Sequence, residues 1–179
     1  MKIHFSSIAV VGAGAMGQGI AQIAAQAGSH VWLLDSKPGA ADKARQAIQQ
    51  QWAKLAAKGR VTEEQVQAWS QQLQIANTLA DLGSCQLVIE AVVERLEVKQ
   101  ALFAELERTL PANVVWATNT SSLSVTAIAA ALQQPERLAG FHFFNPVPLM
   151  KVVEVVAGLK TDPALCQALT AYARVMGHT

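Results

Sequence analysis

The segment that most narrows what this chain can fold into is Gly12-Ala13-Gly14-Ala15-Met16-Gly17. It follows Ile8–Val11, a short β-branched run that reads as a strand, and it opens Met16–Ala27. There Met16, Ile20 and Ile23 recur at helical spacing, and Gly28 is placed to stop the helix. A second buried run, Val31–Leu34, completes a strand–helix–strand unit, and such a unit calls for a parallel sheet. Each glycine has a physical reason in that setting. Gly12 permits a tight turn, Gly14 leaves bare backbone for a pyrophosphate, and Gly17 lets helix and strand pack closely. The helix start then offers unpaired N–H groups and a positive dipole end to phosphates. Asp35 closes the second strand, 21 residues after Gly14. A carboxylate there can accept both ribose hydroxyls of an adenosine and would repel a 2′-phosphate, so NAD is expected over NADP. FAD shares the glycine pattern and is a rival ligand.

The rest of the chain continues the alternation. Residues 39–58 read as a helix with Ala41, Ala44, Ile48, Trp52 and Leu55 on one face, ended by Gly59. Thr62 with Gln65 three residues on is a capping box for a further helix that carries Val66, Trp69 and Leu73 on one side. Residues 39–73 are therefore expected as a helical hairpin inserted in a doubly wound fold, of a size that projects from the body and covers a ligand. Leu87–Ile89 and Val114–Thr118 read as strands, Leu96–Thr109 and Val125–Leu132 as helices. Gly140–Phe143 and Val152–Val156 read as two late strands, and Pro163–Met176 as a last helix. The fold class expected is α/β: a Rossmann-type, doubly wound, mostly parallel sheet with antiparallel late strands.

Composition excludes several other classes. Of 179 residues, 51% are hydrophobic and 15% charged, the balance of a packed core and not of a disordered chain. A net charge of +1 gives no field for nucleic acid or acidic membrane. Two cysteines, Cys85 and Cys166, make neither a disulfide framework nor a metal cluster, so no metal is expected. The N-terminus lacks the apolar stretch of a signal peptide, and no run approaches the ~18 apolar residues that cross a bilayer. A cytoplasmic location is the expectation.

The richest stretch chemically is Gly140-Phe141-His142-Phe143-Phe144-Asn145-Pro146-Val147-Pro148 with Glu154 beyond it. If the late strands pair antiparallel about Pro148, His142 and Glu154 fall opposite each other, and cross-strand neighbours lie about 5 Å apart at Cβ. A carboxylate on one imidazole nitrogen fixes the tautomer and frees the other to take a proton from a substrate hydroxyl. Thr118-Asn119-Thr120-Ser121-Ser122 follows a strand, at the sheet edge where ligands bind. Ser121 is expected to be functional there, and Ser122 or Ser124 structural. Glu90, Glu94 and Lys99 surround another strand end and read equally as a solvated helix face. His4, His30 and His178 carry no partner pattern.

Four segments together resemble the NAD-binding domain of the short-chain L-3-hydroxyacyl-CoA dehydrogenase family: VGAGAMGQGIA, VIEAVVERLEVKQALF, ATNTSSLSVTAIA and GFHFFNPVPLMKVVEVV. The last of these is very specific, and the resemblance runs over essentially the whole chain. It implies oxidation of the 3-hydroxyl of an acyl-CoA with hydride passing to NAD, in fatty-acid or phenylacetate-type catabolism. It implies His142 as general base, Glu154 as its orienting partner and Ser121 in contact with substrate and nicotinamide. It implies NAD contacts at Gly12, Ala13, Gly14, Ala15, Met16, Gly17, Asp35, Ala91, Glu94, Lys99, Ser121 and Asn145. Lys58 resembles a lysine that holds the CoA phosphates, while Gln51 stands where the family can use a serine. The family continues into a helical second domain with most of its dimer interface. Residues 1–179 are thus expected to be the cofactor half of a homodimeric enzyme, binding NAD but turning over acyl-CoA poorly alone. Two rivals are an enzyme of the β-hydroxyacid dehydrogenase type acting on free acids, and a non-catalytic NAD-binding structural protein of crystallin type.

Overall fold

The computed structural model describes residues 4–179. In chain order the elements are β1 (Ser7–Val11), α1 (Ala15–Gln26), β2 (His30–Leu34), α2 (Ala40–Ala57), α3 (Glu63–Gln72) and β3 (Leu73–Ile75). They continue with β4 (Leu87–Glu90), α4 (Leu96–Thr109), β5 (Val115–Thr118), α5 (Val125–Ala129), β6 (Leu138–Phe143), β7 (Val153–Val156) and α6 (Pro163–Val175). One seven-stranded sheet runs β3-β2-β1-β4-β5-β6-β7. All pairings are parallel except β6 with β7. This is the doubly wound α/β architecture.

Residue alternation along β1 divides the core. Ile8 and Val10 pack with buried residues of α1, α2 and α6, while Ala9 and Val11 pack with those of α4 and α5. Both faces are covered by helices, so the central strands run apolar on both faces up to their carboxyl ends, where β4 and β5 finish in Glu90 and Thr118.

Residues 39–73 differ from the projecting insertion that the sequence suggested. The α2 stripe Ala41, Ala44, Ile48 and Trp52 is buried in the main core, and Trp69 of α3 packs its ring 5.6 Å from that of Trp52. The two helices form the crossover that leads from β2 to β3, which adds a parallel edge strand at Leu73–Ile75. Leu73 therefore belongs to a strand, not to a helix face. The capping box of Thr62 and Gln65 starts α3 with both of its hydrogen bonds formed. α5 ends at Ala129, short of Leu132, and β6 begins at Leu138, two residues before Gly140.

Candidate active site

The strand order reverses between β1 and β4, and the crevice outside their carboxyl ends is where open α/β sheets take ligands. Gly12, next after β1, has φ 106°, and a Cβ on it would stand 2.4 Å from the Ala91 carbonyl oxygen at the exit of β4. At Gly17 a Cβ would lie 1.7 Å from the Gly12 carbonyl oxygen. Gly14 differs from both: nothing in the chain lies within 4 Å of the Cβ it lacks. It is the N-cap of α1, where no side chain bonds the first-turn amides and no acid sits in that turn. Those leading amides and the open space above Gly14 fit the pyrophosphate of a dinucleotide.

Asp35 is tied to this turn. Its Oδ2 accepts from the Ala13 amide at 2.7 Å and its Oδ1 from the Lys37 amide at 2.8 Å. Each carboxylate oxygen keeps a lone pair for a ribose hydroxyl. Gly12, Gly14, Asp35 and Ala91 line a cavity of about 510 Å³. A second cavity of about 360 Å³ adjoins it, sharing Ala91 and Val92, and is lined by Met16, Glu94, Ser121, His142 and Asn145.

His142 and Glu154 are directly paired in the β6–β7 ladder, and the imidazole Nδ1 lies 3.1 Å from Glu154 Oε2. An ionised carboxylate only accepts, so Nδ1 carries the proton and Nε2 keeps its lone pair. The His142 side chain is 16% exposed and that of Glu154 58%. Asn119, which sequence reasoning passed over for its serine neighbours, accepts the Phe143 amide on Oδ1 at 2.8 Å. That bond ties the end of β6 to the loop after β5.

Ser121 is held from the other side. Glu94 Oε2 accepts its amide at 2.9 Å and its hydroxyl at 3.1 Å, and Glu94 Oε1 accepts the Thr120 hydroxyl at 2.7 Å. Burial alone would push the Glu94 carboxyl up. The Ser121 amide, the Thr120 hydroxyl, the Lys99 ammonium and the Ser121 hydroxyl together outweigh burial and hold it below the usual carboxylate range. Ser124 plays a structural part, because its hydroxyl caps α5 by accepting the Ala127 amide.

Glu90 and Lys99 are not a solvated face. Their side chains are 0% and 1% exposed, joined at 2.5 Å between Glu90 Oε2 and Lys99 Nζ. Glu90 also accepts the Thr118 hydroxyl at 2.6 Å and the Val92 amide at 2.8 Å. Lys99 Nζ stands 3.6 Å from Glu94. Burying a charge is costly unless it is paired and hydrogen-bonded, and here each of the two ions neutralises the other. Lys99 thus sits under the cavity wall, behind Glu94, and does not open into the cavity. Ala13 and Ala15 lie where the turn meets a wider groove of about 1000 Å³ between α1, α2 and the 145–149 loop, and Asn145, Gln51 and Lys54 line it too. Lys58 is apart from these: it is the exposed C-cap of α2 and is not among the residues lining that groove.

The family described as "3-hydroxyacyl-CoA dehydrogenase, NAD binding domain" matches residues 7–179. A probable 3-hydroxybutyryl-CoA dehydrogenase of Bacillus subtilis is 41% identical over 177 residues, which cover 99% of this chain and 62% of that protein. A 3-hydroxyadipyl-CoA dehydrogenase of Escherichia coli is 44% identical over 169 residues, covering 94% of this chain and 36% of that protein. Among solved structures, a 3-hydroxybutyryl-CoA dehydrogenase from Escherichia coli superposes with a TM-score of 0.96 at 41% identity. That match covers 98% of this chain and 37% of the other. The chain thus spans less than two thirds of the length of each of these relatives.

Proposed function

The chain belongs to the 3-hydroxyacyl-CoA dehydrogenase family, matching its NAD-binding domain, and from that premise we propose that the protein serves the NAD-dependent oxidation of (S)-3-hydroxyacyl-CoA to 3-oxoacyl-CoA. The relatives are named for CoA thioesters, and the same substrate class is the one we assign here. The observation that carries the reading is the His142–Glu154 pair at 3.1 Å, with His142 lining the cavity that Ser121 also lines.

His142 Nε2 takes the proton of the substrate's 3-hydroxyl, as general base. Glu154 keeps Nδ1–H as the donor and stabilises the positive charge that then develops on the ring. Ser121, whose only hydroxyl proton goes to Glu94, offers lone pairs to a donor in the cavity. Bound NAD supplies the hydride acceptor. The α1 amides and Asp35 hold its pyrophosphate and adenosine ribose. In this reading a histidine is the base, in place of the lysine used by enzymes that act on free hydroxy acids. Homodimerisation of the active enzyme belongs to the same proposal.

Two measurements on one preparation test it. Calorimetric titration with NAD reads the cofactor half. NADH formation from a ladder of (S)-3-hydroxyacyl-CoA thioesters, with free 3-hydroxy acids beside them, reads the substrate half. Saturable NAD binding with NADH formed from thioesters alone is expected from the active enzyme. Silence toward NAD, or turnover of free acids only, would overturn the assignment.

A further inference from the structure

The charges around the second cavity do not balance. Glu94 is the only carboxylate lining it, and no Lys or Arg lines it among the described residues. Beneath Glu94 lies Lys99, but that ammonium is 2.5 Å from Glu90 and 3.6 Å from Glu94. Two carboxylates share one cation, so the cluster keeps one surplus negative charge. Glu90 and Lys99 are fully buried, so solvent does not screen them, while Glu94, 37% exposed, presents the surplus at the cavity wall. Glu154, the other carboxylate nearby, is more than half exposed and stands behind His142, where water screens it.

Resting on the reading above, the hydride-accepting ring has to reach this cavity, because His142 and the substrate carbinol meet there. That ring is a cation when oxidised and neutral when reduced. We propose that the surplus carboxylate of the Glu90–Lys99–Glu94 cluster biases the cavity toward the oxidised, positively charged nicotinamide over the reduced, neutral one. Glu94 supplies the field, and Glu90 acts through Lys99 as a positioning residue by cancelling a cation that would otherwise oppose it. The buried pair then has a use beyond packing: it leaves Glu94 hydrogen-bonded to Ser121 without neutralising it.

The test is the ratio of the dissociation constants for NADH and NAD+, measured by calorimetry on the 179-residue chain and on three variants. Glu94→Gln keeps most of the hydrogen bonds and removes the charge. It should weaken NAD+ roughly five- to tenfold more than NADH, the size expected of one partly screened charge at short range. Glu90→Gln, an isosteric change that touches no ligand, should move the ratio in the same direction. Glu94→Asp keeps the charge, so the ratio should stay within about twofold even if both forms bind more weakly. A role in ribose binding or in folding alone lowers both affinities together and leaves the ratio fixed. Equal losses in Glu94→Gln and Glu90→Gln, or an Asp variant as shifted as the Gln variant, would overturn the inference while NAD binding itself stands. A native chain that binds neither form would overturn the underlying reading and this inference with it. Circular dichroism identifies a variant that fails to fold, and Glu90 ends β4 while Glu94 lies in the loop after it, so either Gln variant that folds suffices.

Discussion

The two cavities that meet at Ala91 and Val92 are built by opposite means. The one over the glycine turn offers its ligand mainly backbone: the Gly12 φ, the space above Gly14, the uncapped amides of α1, and one carboxylate fastened to the Ala13 and Lys37 amides, with α4 side chains such as Val98 and Leu102 completing the lining. The one beside His142 is lined from β6, α1 and the loops after β4, β5 and β6, and its two reactive side chains are each aimed by a carboxylate, His142 by Glu154 and Ser121 by Glu94. Backbone presents fixed dipoles to a ligand whose charge does not change. Titratable side chains are needed where a proton and a hydride leave the substrate. The two cavities should therefore fail in different ways.

The largest separation is expected at His142. In catalytically competent protein, His142→Gln should lower turnover by roughly 10²–10⁴-fold, the usual worth of a general base. NAD affinity, which rests on the glycine-turn cavity and on the Glu94 charge but not on the imidazole, should stay within about twofold of native by titration. Retained turnover would remove His142 from the chemistry, and a parallel fall in NAD affinity would erase the division between the cavities. Next in size is Lys99→Met. It leaves the Glu90 carboxylate fully buried beside Thr118 and the Val92 amide without its counter-charge. Loss of one partner from a buried ion pair costs about 3–5 kcal/mol, read as a lower urea midpoint. The double variant Glu90→Leu with Lys99→Met should recover part of that stability, because it removes the unpaired buried charge while leaving the Thr118 hydroxyl and the Val92 amide without their acceptor.

The backbone cavity was largely legible in the sequence and the side-chain cavity only in part, for a physical reason. The glycine turn and Asp35 lie within one contiguous strand–helix–strand unit, where local spacing fixes geometry. His142 and Glu154 were legible across a longer gap because antiparallel pairing about Pro148 leaves little choice of partner. The Glu90–Lys99 pair was not. Charged residues nine positions apart across a strand end and a helix start look like solvated surface, and only the tertiary packing of α4 on the sheet buries them. Asn119 was hidden for a similar reason: its partner, the Phe143 amide, lies on a strand 24 residues away. β3 escaped because Leu73–Ile75 is three residues long and starts where α3 stops. The crossover of α2 and α3 read as an insertion because its polar outer face hid how deeply Trp52 is set.

A smaller effect tests the backbone cavity on its own ground. Asp35→Asn keeps one acceptor for the Ala13 amide and removes the charge that repels a 2′-phosphate. NAD should bind roughly tenfold more weakly, the worth of one charge-assisted hydrogen bond, and NADP should gain relative to it. Competition titrations with both dinucleotides measure this. Weaker NAD with an unchanged preference over NADP would mean that Asp35 serves only to hold the turn.

The smallest expected effect lies in the side-chain cavity and turns on pH. The Glu94 carboxyl is held below its usual range in the folded chain: burial opposes this, and the Ser121 amide, the Thr120 hydroxyl and Lys99 prevail. The sign follows from linkage. A carboxyl with a depressed folded value stabilises the fold above its unfolded value, and loses that contribution as pH falls through the folded value. Native chain and Glu94→Gln should therefore differ most in stability at neutral pH and converge in acid, below the usual carboxylate range. Because Glu94 is more than a third exposed, solvent keeps the difference small. Urea midpoints for both proteins across that span measure it. A constant gap at every pH would show that Glu94 acts through shape alone, and Ser121 would then owe its orientation to packing instead of to an ionised neighbour.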